Sequence, residues 1–229
     1  AQIFLFLQQQ SFLSKQNKII WQVSVMVNDS SDNSWQICNQ QILKYKGQLS
    51  CQLLSKPGKG RAIKTVWRNS SANVLIFMDA DLAVSLEALD DLIAPIIDKK
   101  ADLVIGSRFL KDSVIARSWQ RRLVSKSYLQ LSRIFLQHKQ TDMQCGFKAI
   151  SKDFFNKVEK FLVDDYWFFD TELIMLTNKF DGRIVEVSVN WQEPRKNQQK
   201  SKIKIFRDSY IFFIKLVQFK RYLRNIKKY

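Results

Sequence analysis

Val74-Leu75-Ile76-Phe77-Met78-Asp79-Ala80-Asp81-Leu82 runs five consecutive apolar residues into two carboxylates spaced one residue apart. A continuous apolar run of this length, bounded by polar residues, reads as a strand buried on both faces, as in α/β proteins. Asp79 and Asp81 then stand at its carboxyl end, the edge at which open α/β sheets bind ligands. In an extended segment residues i and i+2 point the same way, so both carboxylates can address one hard cation. Asp-x-Asp is common by chance and fits a solvated strand end equally well, so its weight depends on what surrounds it.

Before this strand, Trp21 to Val27 alternates toward Val23, Val25 and Val27 and ends in Asn28-Asp29-Ser30-Ser31-Asp32-Asn33. That cluster is a turn by composition and can cap a helix over 34–45. Leu49 to Leu54 is a second short strand, followed by Lys56-Pro57-Gly58-Lys59-Gly60-Arg61 and a helical pattern through Trp67. Glycines beside lysines ahead of a helix allow close approach to a phosphate, with cations and helix amides facing it. The loop lacks Walker spacing and fits an ordinary connection too. Ile3 to Leu13 has the spacing of an amphipathic helix.

After the central strand, Ser85 can cap a helix with the stripe Leu86, Leu89, Leu92, Ile93, Ile96 and Ile97. Leu103 to Ile105 is another buried strand, and Gly106-Ser107-Arg108 leaves it at the same sheet edge. Strand and helix alternate four times, the mark of a wound α/β sheet. Arg117, Arg121 and Ser125 are four apart on the helix predicted over 117–136, with Arg122 and Lys126 beside them and no acid on that face. Such a face is either solvated or an anion ligand.

Further on, Thr141-Asp142-Met143-Gln144-Cys145-Gly146-Phe147-Lys148 leads into a short strand, and Tyr166-Trp167-Phe168-Phe169-Asp170-Thr171-Glu172 opens a helix. Val185, Val187, Val189 and Trp191 alternate as one strand. Residues 193–204 form a polar, basic loop, and 206–229 read as a basic amphipathic helix that suits a membrane surface or packing on the sheet.

At 229 residues, 46% hydrophobic and 13% aromatic, the chain can bury one large core. No apolar stretch approaches the ~20 residues of a spanning helix, and Ala1 to Leu7 has neither the basic leader nor the length of a signal peptide. Lys plus Arg number 37 against 21 Asp plus Glu, a formal +16 that calls for an anionic partner. Three cysteines, Cys38, Cys51 and Cys145, without metal-ligand spacing suit reduced thiols in a cytosol-facing compartment. A single histidine, His138, argues against a zinc site or a serine-type triad.

Taken in order, these motifs resemble the family-two glycosyltransferases of the nucleotide-sugar-binding GT-A fold. Within them they are similar to dolichyl-phosphate glucosyltransferases and related polyprenyl-phosphate enzymes. Val27-Asn28-Asp29-Ser30-Ser31-Asp32 looks like the Val-Asp-Asp-Gly-Ser-x-Asp nucleotide motif, Lys59-Gly60 the Gly-Lys-Gly loop, Asp79-Ala80-Asp81 the metal motif and Gly106-Ser107-Arg108 the arginine after the strand. Asp142 with 144–148, Trp167 with Phe169-Asp170 and Glu172, and Val189-Asn190-Trp191 with Ser201-Lys202 follow in the family's order. Three features depart from it: the opening strand and its Pro-x-Tyr-Asn-Glu type motif have no counterpart, Ser30 replaces a glycine, and Ala83 stands where mannosyl-transferring relatives carry glutamine.

The resemblance implies an α/β GT-A fold, a mixed and mostly parallel sheet flanked by helices and lacking its first strand. It implies a catalytic domain over 1–205 and a membrane-surface helix over 206–229. The implied activity is inverting transfer of a hexose, with glucose favoured, from a nucleoside diphosphate sugar (UDP-glucose favoured) to a polyprenyl or dolichyl phosphate, at a cytosol-facing membrane surface. Asp79 and Asp81 would bind Mg2+ or Mn2+. Asp29, Lys59 and Gly60 would hold the nucleotide. Arg108, Arg117, Arg121, Ser125, Arg195 and Lys202 would take the acceptor phosphate, and Asp142, Asp170 and Glu172 would orient sugar hydroxyls or the arginines. Arg108, Arg121, Asp81 and Asp142 form the expected catalytic set. The alternatives are an inactive GT-A-like fragment and a basic nucleic-acid binder; the aromatics lie in apolar runs rather than on a basic sheet, so nucleic acid is not expected as a partner.

Overall fold

A computed structural model describes residues 2–9, 19–28, 32–116, 119–192 and 205–227, with side chains left out for some helix and strand residues. The chain divides into two units, one of residues 1–70 with Asp164–Trp167, the other of 71–163 with 168–229.

In unit 1, helix α1 spans Gln2–Gln9, strand β1 Val23–Asn28, α2 Ser34–Lys44, β2 Leu49–Leu54 and α3 Lys59–Asn69. β1 and β2 pair in parallel from Val23↔Leu49 to Asn28↔Leu54, with α2 as the crossover. Phe4 of α1 is buried, stacking on Tyr45 at 3.9 Å between ring centroids and meeting Trp21 edge-on. Residues 10–18 lie outside the described part, so α1 is confirmed only as far as Gln9.

Cys38 of α2 and Cys51 of β2 form a disulfide with their Cα atoms 6.2 Å apart, which corrects the expectation of three reduced thiols. α2 lies on β2 and brings the two side chains together, a juxtaposition that spacing along the chain cannot show. Cys145 is the buried free thiol, its pKa pushed up to about 12 chiefly by burial.

Unit 2 opens with β3, Val74–Met78, the apolar run that ends at Asp79. A 3-10 turn over Leu86–Ala88 leads into α4, Leu89–Ile97; the Ser85 side chain accepts no cap hydrogen bond, contrary to expectation, and four of the stripe residues, Leu89, Leu92, Ile93 and Ile96, are buried. Then come β4 (Leu103–Ser107), β5 (Val114–Ala116), α5 (Trp119–Leu136), β6 (Phe147–Ser151), α6 (Lys152–Val158), α7 (Phe169–Lys179), β7 (Ile184–Ser188), β8 (Asn190–Gln192) and α8 (Ile205–Asn225).

The main sheet has the order β3-β6-β4-β7. β6 runs antiparallel to both β3 and β4, while β4 and β7 are parallel. The carboxyl ends of β3, β4 and β7 therefore share one edge with the start of β6. The alternating run Val185 to Trp191 is two strands, not one: at buried Val189 the chain leaves β4 and pairs through β8 with β5.

The core is Leu103, Val104, Ile105, Ala149 and Ile150 of the sheet against Leu92, Phe155, Leu173, Ile174 and Leu176, all 0% exposed. α7 is buried continuously from Phe169 to Thr177, so its polar residues are enclosed with its apolar ones. α8 packs against α5, where Phe212 and Phe213 meet Tyr128 and Phe135 edge-on, and against α7; its Phe219 meets Phe168 edge-on, and Tyr222 donates to the Phe161 carbonyl at 3.1 Å. Among the described residues, no helix is long and apolar enough to cross a membrane.

Candidate active site

The shared sheet edge of unit 2 collects four of the polar candidates, Asp79, Asp81, Arg108 and Asp142. Asp79 follows Met78, and its amide donates to the Gly146 carbonyl at 3.0 Å, extending the β3–β6 ladder by one bond. Its carboxylate lies against the Gly146 Cα so closely that a Cβ there would overlap it. Beyond Asp79 the chain turns instead of staying extended. Leu82 N donates to the Asp79 carbonyl, Ala83 N donates to Asp81 Oδ1 at 3.1 Å, and Leu82 takes a φ of 51°. The two carboxylates are thus presented by a turn, Asp79 half-buried and Asp81 exposed.

Arg108 leaves β4 at the same edge and is gripped by Asp142. Its Nε donates to Oδ2 at 2.6 Å, its Nη2 to Oδ1 at 2.9 Å and its backbone amide to Oδ2 at 3.1 Å; Gln144 N adds a bond to Oδ1 at 3.0 Å. Both side chains are buried, Arg108 9% and Asp142 1% exposed. Burial alone would raise the Asp142 pKa, but the guanidinium and these hydrogen bonds hold it below the ordinary carboxylate range. Burial likewise opposes the charge on Arg108, and Asp142, with a weaker contribution from Asp79, holds its pKa above the ordinary arginine value. Of the two roles expected for Asp142, the arginine-orienting one is the one its contacts support.

Asp170 is enclosed behind this edge. It is 0% exposed and accepts from Lys148 Nζ at 2.5 Å; Glu172 is 2% exposed on the same enclosed helix. A run such as Asp170-Thr171-Glu172 signals a helix N-terminus in sequence, and only the all-round burial of α7 removes it from solvent. Ser125 stands half-exposed on α5, and Arg121 is on the same helix with its side chain outside the described part. Asp29, Arg117, Arg195 and Lys202 lie outside the described residues.

In unit 1 the glycine-rich loop differs from a phosphate cradle. Gly60 N donates to the Tyr166 carbonyl at 3.2 Å and Arg61 N to the Asp165 carbonyl at 3.0 Å, so these two first-turn amides of α3 are committed to protein. Gly58 N donates to Asn28 Oδ1 at 2.9 Å. What the loop offers an anion is Lys56, exposed, and Lys59, half-exposed, with its Nζ 5.1 Å from the centre of the Trp167 ring. Asp165 is clasped by Lys64 Nζ at 2.9 Å and Arg61 Nη2 at 2.6 Å; burial would raise its pKa, but these partners lower it.

Sequence reasoning missed the polar chain beside Asp142. Gln144 Nε2 donates to Thr171 Oγ1 at 2.8 Å, and the Tyr128 hydroxyl meets the same oxygen at 2.7 Å. Ser107 and Thr141 share a hydroxyl hydrogen bond at 2.6 Å, and Glu186 accepts from Thr141. Gln144 and Thr171 fall inside motifs already noted, but nothing in their types announces that they meet.

Asp79 and Asp81 supply hard oxygen donors, and no group of three or more His, Cys, Asp or Glu able to hold a metal gathers among the described residues. Two carboxylates suit Mg2+ or Mn2+, which take their remaining ligands from phosphate and water; they do not suit a metal needing an all-protein cage.

The profile of glycosyl transferase family 2 matches residues 10–159, and the chain belongs to that family. It is 32% identical over 151 residues to glycosyltransferase AglD of Haloferax volcanii, covering 66% of this chain and 24% of that protein. It is 29% identical over 201 residues to the dolichyl-phosphate beta-glucosyltransferase of Saccharomyces cerevisiae, covering 80% and 60%. The human enzyme of that name is 26% identical over 196 residues, again with 80% and 60% covered. The chain thus spans about a quarter of the first relative and three-fifths of the other two. Among solved structures, glucosyl-3-phosphoglycerate synthase of Mycobacterium tuberculosis with Mn2+, UDP-glucose and phosphoglyceric acid superposes with a TM-score of 0.60 at 14% identity, over 85% of this chain and 68% of that one. That likeness concerns the fold, which is GT-A.

Proposed function

We propose that the protein is an inverting, metal-dependent glycosyltransferase that moves a hexose, with glucose favoured, from a nucleoside diphosphate sugar to a polyprenyl or dolichyl phosphate. The observation that carries this is the shared edge of unit 2, where the Asp79 carboxylate seated on Gly146 stands with the Arg108 guanidinium oriented by Asp142. The similarity to dolichyl-phosphate beta-glucosyltransferases over four-fifths of the chain supports the acceptor class, and the UDP-glucose bound by the fold neighbour supports the donor.

A phosphomonoester has a second pKa of about 6, so its oxygen is already largely an anionic nucleophile at neutral pH. The protein then needs no strong general base; it needs cations that hold phosphates together. Asp79 and Asp81 would hold Mg2+ or Mn2+, which when bound supplies Lewis-acid stabilisation of the departing diphosphate. Asp29 and Lys59 would bind the nucleotide. Arg108, Arg121 and Ser125, with Arg117, Arg195 and Lys202, would receive the acceptor phosphate. α8 would lie at an anionic membrane surface through exposed Arg221, Arg224 and Lys227 and the exposed apolar Ile211 and Phe213.

Incubation with polyprenyl phosphate and a panel of radiolabelled nucleotide sugars tests the assignment: label should enter lipid from UDP-glucose in preference to the others. Asp81→Asn should abolish transfer without changing the melting temperature, and full activity in that variant removes the metal role. Arg121→Ala should raise the lipid phosphate requirement far more than the nucleotide-sugar requirement.

A further inference from the structure

Lys148 is the most deeply enclosed cation of the sheet. It sits on β6 opposite Phe77 of β3, is 0% exposed, and carries its Nζ 5.5 Å from the Phe77 ring centre. Nζ donates to Asp170 Oδ1 and to the Cys145 carbonyl, each at 2.5 Å. Nothing in the proposed chemistry uses either charge. A buried ion pair is seldom the most stabilising filling for its volume, and its best-attested use is to specify one arrangement over others.

The arrangement specified here leads to Asp79. The Cys145 carbonyl belongs to the peptide that joins Cys145 to Gly146, and the next carbonyl, that of Gly146, receives the Asp79 amide. The Gly146 Cα is the surface against which the Asp79 carboxylate rests. Two successive carbonyls are therefore fixed, one by Lys148 and one by Asp79, and rotation of the first peptide would shift the seat of the acid. From the other side α7 clamps the same loop at two adjacent positions, Asp170 through Lys148 and Thr171 through Gln144. Phe169 packs edge-on against Phe77 at 6.2 Å, closing the ring of contacts.

We propose that Lys148 and Asp170 are a positioning pair that sets the aim of Asp79 through the Cys145–Gly146 peptide, and so governs divalent-cation affinity. This rests on the assignment of Asp79 and Asp81 as cation ligands. The pair itself touches neither metal nor substrate.

The test replaces the pair by apolar residues of similar size, Lys148→Met with Asp170→Leu, so that no unpaired charge is left buried. Mn2+ uptake in the presence of UDP is measured by electron paramagnetic resonance, alongside the melting temperature. The double variant should melt near the wild type yet bind Mn2+ roughly 10- to 100-fold more weakly, as loss of an outer support of a metal ligand does. Wild-type Mn2+ affinity in the folded double variant overturns the proposal. Asp170→Asn provides a second variant that preserves shape, with weakened Mn2+ uptake expected and unchanged uptake counting against the pair. Asp81→Asn separates the two levels. If it loses Mn2+ while the double variant does not, only the positioning role fails; if the wild type takes up no Mn2+ with UDP, the ligand assignment fails and the positioning role with it.

Discussion

Gly58 in unit 1 and Gly146 in unit 2 both occupy positions where a side chain would collide with a neighbour, but the neighbours differ in kind. At Gly58, with φ at 155°, the obstacle is the Asp165 backbone carbonyl; at Gly146 it is the Asp79 carboxylate. The first glycine lets residues 164–167 lie over the start of α3, where they consume the helix amides that a phosphate would have used. The second lets an acid stand close to the backbone at the strand edge. A glycine beside charged residues thus marks a close approach, and only the identity of the approaching group tells scaffold from site.

Alanine at each position puts that contrast at risk. Gly146→Ala should displace the Asp79 carboxylate and lower transfer by ~10²-fold, the scale expected for a misplacement of about 1 Å near the reacting groups, with little change in melting temperature. Gly58→Ala should do the reverse, lowering the melting temperature while transfer per folded molecule at low temperature stays near the wild type. Equal losses of transfer in both variants would break the distinction.

The ion pairs of the two regions sharpen it. Asp142 is buried with Arg108, and removing one partner of such a pair leaves an uncompensated charge, so Asp142→Asn should cost about 3–5 kcal/mol in urea unfolding. The Asp165 side chain is 33% exposed between Lys64 and Arg61, and Asp165→Asn should cost about 1 kcal/mol or less. Both carboxylates have lowered pKa values, so each contributes stability above the ordinary value of 3.8 and loses it as pH falls through its folded value.

The smallest effect at neutral pH belongs to His138, whose Nε2 meets Ser132 Oγ at 2.8 Å. Burial, and then the charge of Arg133, lowers its pKa from 6.5 to about 4. The unfolded chain therefore binds the proton first on acidification, and the contribution is complete above pH 6.5 and declines toward pH 4. Melting temperature should fall between those values, and His138→Gln should flatten the fall.

Much of this was legible beforehand where one residue type had one structural use. The run Val74 to Met78 is a strand, as its apolar length indicates, but only Leu75 and Phe77 are buried, which corrects the expectation of burial on both faces; the carboxylates that follow it stand at the edge shared with the ends of β4 and β7. The i, i+2 geometry expected of them did not survive, because the chain turns at Asp79, and a positive φ at Leu82 is not something its side chain advertises. The alternation from Val185 to Trp191 was visible, but the change of sheet at Val189 was not, since periodicity records the pleat and says nothing of the partner strand.

By itself the sequence determined the family, the order of the longer strands and helices, and the presence of acids and an arginine at strand ends, because apolar period and motif spacing are local properties written residue by residue; β5, α6 and the division of β7 from β8 were not among them. Only the tertiary structure decided which charges face the site and which support it. Asp170 and Glu172 were sent inward by a helix enclosed on every side, Asp142 was turned onto Arg108, and the α3 amides were taken by a strap a hundred residues further along the chain. Burial and hydrogen-bond partners are set by groups distant in sequence, and a carboxylate's chemistry follows from them.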